Sequence, residues 1–458
     1  MSTPNAAASM TSTPREQRLQ RSWYWYDWAN SAYATVTATV LFAPYLTSIA
    51  NLAACPGQSS DQTCHTNISV LGIGVAPGSL VPYTLTVSTI ISAIVLIFIG
   101  ALADRSTHPV RFLGGFTAVG ATAAAAMVFI GGTNWQLGVI LAIIANLCLG
   151  GSLIVYAAIM CRITPPDDRD RVSSKGWSYG YLGGGLLLAA TLVLLTVHTA
   201  LGLSTAAAVR VTFLVAGLWW AGFATIPLRG LRELRGVPVA SSRRLGAGFG
   251  QLRSTFAGLK EYPQTRRFLF AYLFYNDGIQ TVIVAASLYG TKQLKFSDSQ
   301  MVITILLVQF IAFGGALGFG RLAYRHGAKR LIYSSLYLWT AVVCIAFFLP
   351  ERQFLLWLLL AVAIGLVLGG SQALSRSLYS GLVPVGRESE YFSLYQAMER
   401  GTSWLGTLVF GLVYQLFHDY RLSIVALVVF FGVGAVLLRG VQVREGIITA
   451  GNTPPQVV

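Results

Sequence analysis

The chain has 458 residues, 54% of them hydrophobic and 11% charged, with a formal net charge of +15. A soluble chain of this length carries about 25% charged residues, so the composition excludes a soluble enzyme and indicates a multi-pass membrane protein. The basic excess follows topology and does not point to nucleic acid: with the amino terminus in the cytoplasm, 26 of the 32 Lys and Arg residues fall on that side, five fall outside, and Arg400 lies within a span, as the positive-inside rule requires.

Residues 1–22 are polar and read as a cytoplasmic tail without the apolar core of a cleavable signal, so the first span is expected to direct insertion. Twelve apolar stretches approach the length a bilayer requires: 28–50, 80–103, 111–131, 136–160, 176–197, 209–228, 267–290, 300–320, 330–349, 353–376, 391–416 and 421–440. The expected domains are a six-helix half at 23–228, a basic cytoplasmic linker at 229–264 and a second half at 265–440. A cytoplasmic tail at 441–458, containing Pro454-Pro455, is expected to be disordered.

The first long loop, residues 51–79, lacks Lys and Arg and holds Cys55 and Cys64. An oxidising exterior would favour a disulfide between them; two free thiols are the alternative.

The second stretch ends in Gly100-Ala101-Leu102-Ala103-Asp104-Arg105, and a similar turn returns at Gly320-Arg321-Leu322-Ala323-Tyr324-Arg325. Leu149-Gly150-Gly151-Ser152 returns in the same way as Leu368-Gly369-Gly370-Ser371, and Tyr181-Leu182-Gly183 as Trp404-Leu405-Gly406. Three anchors in one order at nearly constant spacing indicate a duplicated half. Two related halves in a membrane suggest a transporter that works by alternating access. Ionisable and polar groups inside the spans are the candidate substrate or coupling residues, because such groups are costly there unless they face a cavity or a partner. They are Asn30, Tyr33, Asn276, Asp277, Gln280, Gln372, Arg376, Glu399 and Arg400. Repeat alignment places Asn30 beside Asp277 and matches Tyr33 to Gln280. Arg400 is expected either to bind a substrate carboxylate or to neutralise Asp277. Trp23, Trp25 and Trp28 read as an aromatic belt, and for Asp27 an interfacial cap is an alternative to a role within the span.

No nucleophile elbow, phosphate loop or metal-ligand spacing appears. The expectation is therefore no enzyme, no ATP-driven pump, no cofactor and no metal.

The repeated turn resembles the signature loop of the major facilitator superfamily. That likeness implies an all-α integral membrane fold of twelve transmembrane helices in two pseudo-symmetric six-helix bundles. It also implies gating roles for Gly100, Asp104, Arg105, Arg111, Gly320, Arg321 and Arg325. An Asp at this place can accept bonds from a facing helix N-terminus; the second copy has Tyr324 instead, so the latch is expected on one side only. Four further segments resemble the vacuole-effluxer-like family: Tyr26-Asp27-Trp28-Ala29-Asn30-Ser31-Ala32-Tyr33, Pro165-Pro166-Asp167 through Gly185, Tyr275-Asn276-Asp277-Gly278-Ile279-Gln280-Thr281, and Gly369 through Ser377. This implies export of a small amino acid or related metabolite. Proton coupling through Asp277 or Glu399 is expected with it. The rivals are efflux of amphipathic or aromatic compounds and a non-transporting receptor or lipid-handling protein. The expected partners are a small-molecule solute, the lipid bilayer and protons, with no nucleic acid, and the chain is expected to be a monomer. Arg outnumbers Lys 27 to 5, which suits a GC-rich genome and a bacterial cell membrane with both termini cytoplasmic.

Overall fold

A computed structural model describes residues 11–56, 66–70, 72–236, 255–401 and 403–458. Eleven helices among them are long and apolar enough to cross a membrane. They are α1 (Pro14–Ala54), α2 (Pro77–Asp104), α3 (Pro109–Phe129), α4 (Trp135–Ile163), α5 (Pro166–Val197), α6 (Thr205–Gly230), α7 (Pro263–Gln293), α8 (Ser299–His326), α9 (Ala328–Phe348), α10 (Phe354–Leu382) and, past the next crossing, Tyr420–Arg439. The stretch expected as the eleventh span is described as α11 (Glu388–Gly401) and α12 (Ser403–Phe417), on either side of residue 402, which lies outside the described residues; Tyr420–Arg439 is α13. The arrangement is the all-helical membrane fold expected from the sequence.

Local chemistry sets several boundaries. Thr13 and Glu16 form a reciprocal capping box that starts α1, with Pro14 at its first position, where the missing N–H is not needed. The helix thus begins inside the segment read as tail. Its middle, Tyr33–Leu41, winds as a π-helix. Gly327, at φ 81°, separates α8 from α9 with a backbone conformation that side chains rarely adopt. Large apolar side chains such as Phe129, Phe348 and Val436 point outward, at 71%, 76% and 71% exposure, as lipid-facing residues do.

Two elements depart from expectation. The long loop carries a short antiparallel hairpin, β1 (Ile68–Val70) and β2 (Ile73–Val75), with Ser69 opposite Gly74. The carboxyl-terminal segment, expected to be disordered, is ordered: α14 (Val443–Thr449) packs against α7 and α10. Asn452 donates from Nδ2 to the carbonyls of Gly381 at 2.9 Å and Val383 at 2.7 Å. Those carbonyls end α10 and have no helical partner, which is what holds the segment down. The linker positions Arg243, Arg244 and Arg253 lie outside the described residues.

Across the halves, α2 packs against α11 and α5 against α8, with α10 against α5 and α11 against α4. The first two contacts are equivalent under the duplication. The repeat glycines allow both. A Cβ on Gly100 would lie 2.5 Å from the Ser389 carbonyl oxygen, and one on Gly320 would lie 2.5 Å from the Ser174 Cβ.

Candidate functional site

A cavity of about 310 Å³ lies between the halves. From the first half it is lined by Ser31, Thr35, Trp177 and Tyr181, and from the second by Gln280, Gln309 and Gln372. Gln309 donates to Thr35 Oγ1 at 2.9 Å, joining the two walls. At its inner end stand Trp177 and Gln372; it runs toward the end of the bundle opposite Asp104, where Thr39, Ser287 and Met301 line it. Among the described residues its lining is neutral. The Trp177 indole N–H and the Gln372 Oε1 are buried without a hydrogen-bond partner, as is Nδ2 of Asn276, whose Oδ1 accepts from Gln372 at 2.9 Å. Buried polar atoms are normally satisfied, so the open valences on the two floor residues Trp177 and Gln372, with that of Asn276 behind them, mark a candidate place to meet a ligand.

Directly below that floor, Arg376 crosses from α10 into the first half. Its guanidinium bonds Asp27 Oδ2 through Nη1 and Nη2, each at 3.2 Å. It also donates to the Ser173 hydroxyl at 3.0 Å and the Ser173 carbonyl at 2.9 Å. Trp23, Tyr156 and Trp177 surround it at 5.1, 5.4 and 5.3 Å from their ring centroids, within cation–π range. Tyr156 donates its hydroxyl to Asp27 Oδ2 at 2.8 Å. Both charges are buried, Asp27 at 6% and Arg376 at 5% exposure. The interfacial reading of Asp27 and Trp23 is therefore corrected: Trp23 is fully buried and stacks on Tyr156 at 4.0 Å. Because α1 begins at Pro14, Asp27 lies about 20 Å along the helix at 1.5 Å per residue.

Nearer that end of the bundle, Asp104 accepts the backbone N–H groups of Ser389 and Glu390, both at 2.8 Å. Glu390 also accepts from Thr255 at 2.7 Å and pairs with Arg387 at 2.9 Å. Burial alone would lower the Arg387 pKa, but the bond and charge of Glu390 hold it above its ordinary value. On the symmetry-related side, Asp170 accepts the Ser377 hydroxyl and Arg169 donates to the Ser380 carbonyl at 2.9 Å. Tyr324 stays exposed, as do Arg321 and Arg325. Arg111 lines a basic hollow with His108, Arg232 and Arg235, and Arg105 closes the turn after α2.

The remaining candidates separate. Asn30 donates to the Tyr26 carbonyl at 2.6 Å and Tyr33 to Asn146 at 3.2 Å, both within the first half. Asp277 accepts the Gly406 N–H of α12 at 2.7 Å. The expected meeting of Asn30 with Asp277 does not occur, because each side chain is directed to its own half. The expected neutralisation of Asp277 by Arg400 does not occur either: Arg400 donates to Gln396 at 3.3 Å and to the Asn146 carbonyl at 3.5 Å. Glu399 accepts from Gln396 at 2.7 Å. Among the described residues Cys55 is disulfide-bonded; Cys64 lies outside them.

A family model described as "Vacuole effluxer Atg22 like" matches residues 15–451. The chain belongs to the Atg22-like effluxer family. One relative of these effluxers, an uncharacterized MFS-type transporter YxiO of Bacillus subtilis, is 28% identical over 93% of this chain and 95% of its own. Another, autophagy-related protein 22 of Coccidioides immitis, is 23% identical over 89% of this chain and 84% of its own. Solved structures share the fold: the human organic anion transporter MFSD10 (TETRAN) aligns with TM-score 0.70 at 13% identity, over 93% of this chain and all of its own. A bacterial homologue of the iron transporter ferroportin in an outward-facing state aligns with TM-score 0.65 at 14% identity, over 93% and 99%. The Atg22-like chain is thus a multi-pass secondary transporter of the major facilitator fold.

Proposed function

We propose that this transporter moves a small amino acid or related zwitterion by alternating access through the neutral cavity between Trp177 and Thr39. The observation that carries the reading is the cavity floor, where the lining residues Trp177 and Gln372 carry unpartnered polar atoms beside a space sized for a metabolite, with Asn276 bonded behind Gln372. With the termini in the cytoplasm, the Asp104 end is the closed cytoplasmic gate, and the conformation is open outward. Protons supply the coupling through Asp277: protonation removes the carboxylate charge that accepts the Gly406 N–H of α12 and weakens a contact between two helices of the moving half. In proteoliposomes, labelled neutral amino acids should exchange by counterflow. Asp277→Asn should abolish uptake driven by a pH gradient while leaving the protein folded; unchanged coupling in that variant overturns the proton assignment. The aromatic lining of Trp177, Tyr181 and Trp357 favours a second reading, efflux of aromatic amphipaths, which predicts that simple amino acids fail to compete.

A further inference from the structure

Among the described residues, the ring faces and hydrogen-bond acceptors at the Arg376 guanidinium all belong to the other half. Trp23 and Asp27 come from α1, Tyr156 from α4, and Ser173 and Trp177 from α5. Three ring faces, one carboxylate and one backbone carbonyl make up the chemistry that recognises an organic cation: the rings supply negative faces, the carboxylate supplies countercharge, and burial removes competing water. Here the occupant is the protein's own side chain. It arrives from the second half, so it must leave whenever the halves part at this end.

We propose that this cage is a binding site for the cationic group of the transported solute, an ammonium or guanidinium, which replaces Arg376 when the closed end opens. The inference rests on the transport reading above and deepens it by naming the recognition chemistry. Trp177 forms both the cavity floor and a wall of the cage, so a solute in the cavity lies one side chain away. A Cβ on Gly176 would lie 2.8 Å from Asp27 Oδ2 and 2.9 Å from Arg376 Nη2; glycine at this position leaves room for the ion pair against α5. Replacement also balances charge. The solute cation pairs with Asp27, and the released Arg376, one helical turn from Gln372, is left to pair with an anionic end such as a carboxylate. A solute bearing both charges thus substitutes for both partners of the buried pair, and Asp27 and Arg376 need not be left buried and unpaired, the outcome that makes breaking such a pair costly.

The test vacates the cage and offers it a free cation. Full-length Arg376→Ala in detergent should show a saturable rise in melting temperature of several degrees with millimolar methylguanidinium, measured against equal sodium chloride. Adding Asp27→Asn to that variant should weaken the response at least tenfold. A cooperatively melting R376A protein with no saturable rise overturns the proposal, as does an equal rise in the double variant. If R376A does not fold, the wild type decides. Cys161, whose Sγ lies 4.0 Å from the Ser380 carbonyl across the seam, reports opening. Arginine, whose guanidinium and carboxylate offer a partner to both Asp27 and Arg376, should accelerate its alkylation at least threefold, and no acceleration overturns the proposal. Counterflow of neutral solutes with no response to either cation refutes the cage and leaves the transport reading intact; absence of any counterflow refutes the transport reading itself.

Discussion

Asp104 and Glu390 are 286 positions apart, yet the carboxylate of one receives the backbone N–H of the other at 2.8 Å. With the second bond from Ser389, the last residue of α2 satisfies two of the N–H groups that would otherwise be orphaned at the start of α11. A charged acceptor at a helix N-terminus in such a partly buried geometry contributes up to about 2 kcal/mol, or more than a tenfold change in a two-state equilibrium. Asp104→Ala should therefore populate the state open at this end. Faster alkylation of Cys161 in the variant is the measurable consequence, and Asp104→Asn, which keeps an acceptor but not the charge, should fall between variant and wild type.

The duplicated glycines can be tested in the same assay. Gly100→Ala places a methyl group 2.5 Å from a backbone oxygen, whereas Gly320→Ala meets the Ser174 side chain. Neither a backbone oxygen nor a serine Cβ, which is fixed to its backbone, can yield without moving a helix. Both variants should push the halves apart at the closed end. Gly318→Ala, where no atom lies within 4 Å, should leave accessibility unchanged.

Much of this arrangement is legible in the sequence, because hydropathy, charge asymmetry and a repeated turn act over long stretches. The α2–α11 contact follows from Asp104, since a carboxylate at a helix end seeks N–H donors. Asp27 was the residue most easily misread. Its position beside Trp25 and Trp28 at the head of an apolar stretch mimics an interfacial cap, and only the Thr13–Glu16 capping box, which starts the helix earlier, places it deep. Pairing Asp27 with Arg376 requires knowing how the two bundles meet, which is tertiary information. The same holds for Asp277 and Arg400: both are intramembrane charges in the second half, and the helix faces on which they sit direct them to different partners.

Asp277 separates two roles when two substitutions are compared. Asp277→Asn keeps an oxygen that can accept the Gly406 N–H, so its melting temperature should stay near wild type. Asp277→Ala removes the acceptor and leaves a buried N–H unsatisfied, at a cost of about 1–3 kcal/mol. A thermal melt that drops for alanine alone, beside loss of pH-driven uptake in both, assigns the carboxylate to coupling and its oxygen to structure. Equal destabilisation by both would place the whole effect in packing.

The carboxyl-terminal segment offers the last test, because it bonds to both halves. Asn452 satisfies the carbonyls at the end of α10, and the Gln456 N–H donates to Asp167 Oδ1 at 2.8 Å, within the 3-10 turn that opens α5. Between them the chain runs from the second half to the first across the closed end. Opening that end must stretch or release one of these attachments, so the segment acts as a strap on the closed state. Asn452→Ala loses two bonds to carbonyls that α10 cannot satisfy internally, a loss of about 1–2 kcal/mol. The expected result is a lower melting temperature together with faster Cys161 alkylation. A change in melting temperature without any change in alkylation would reduce the segment to a local clamp on α10.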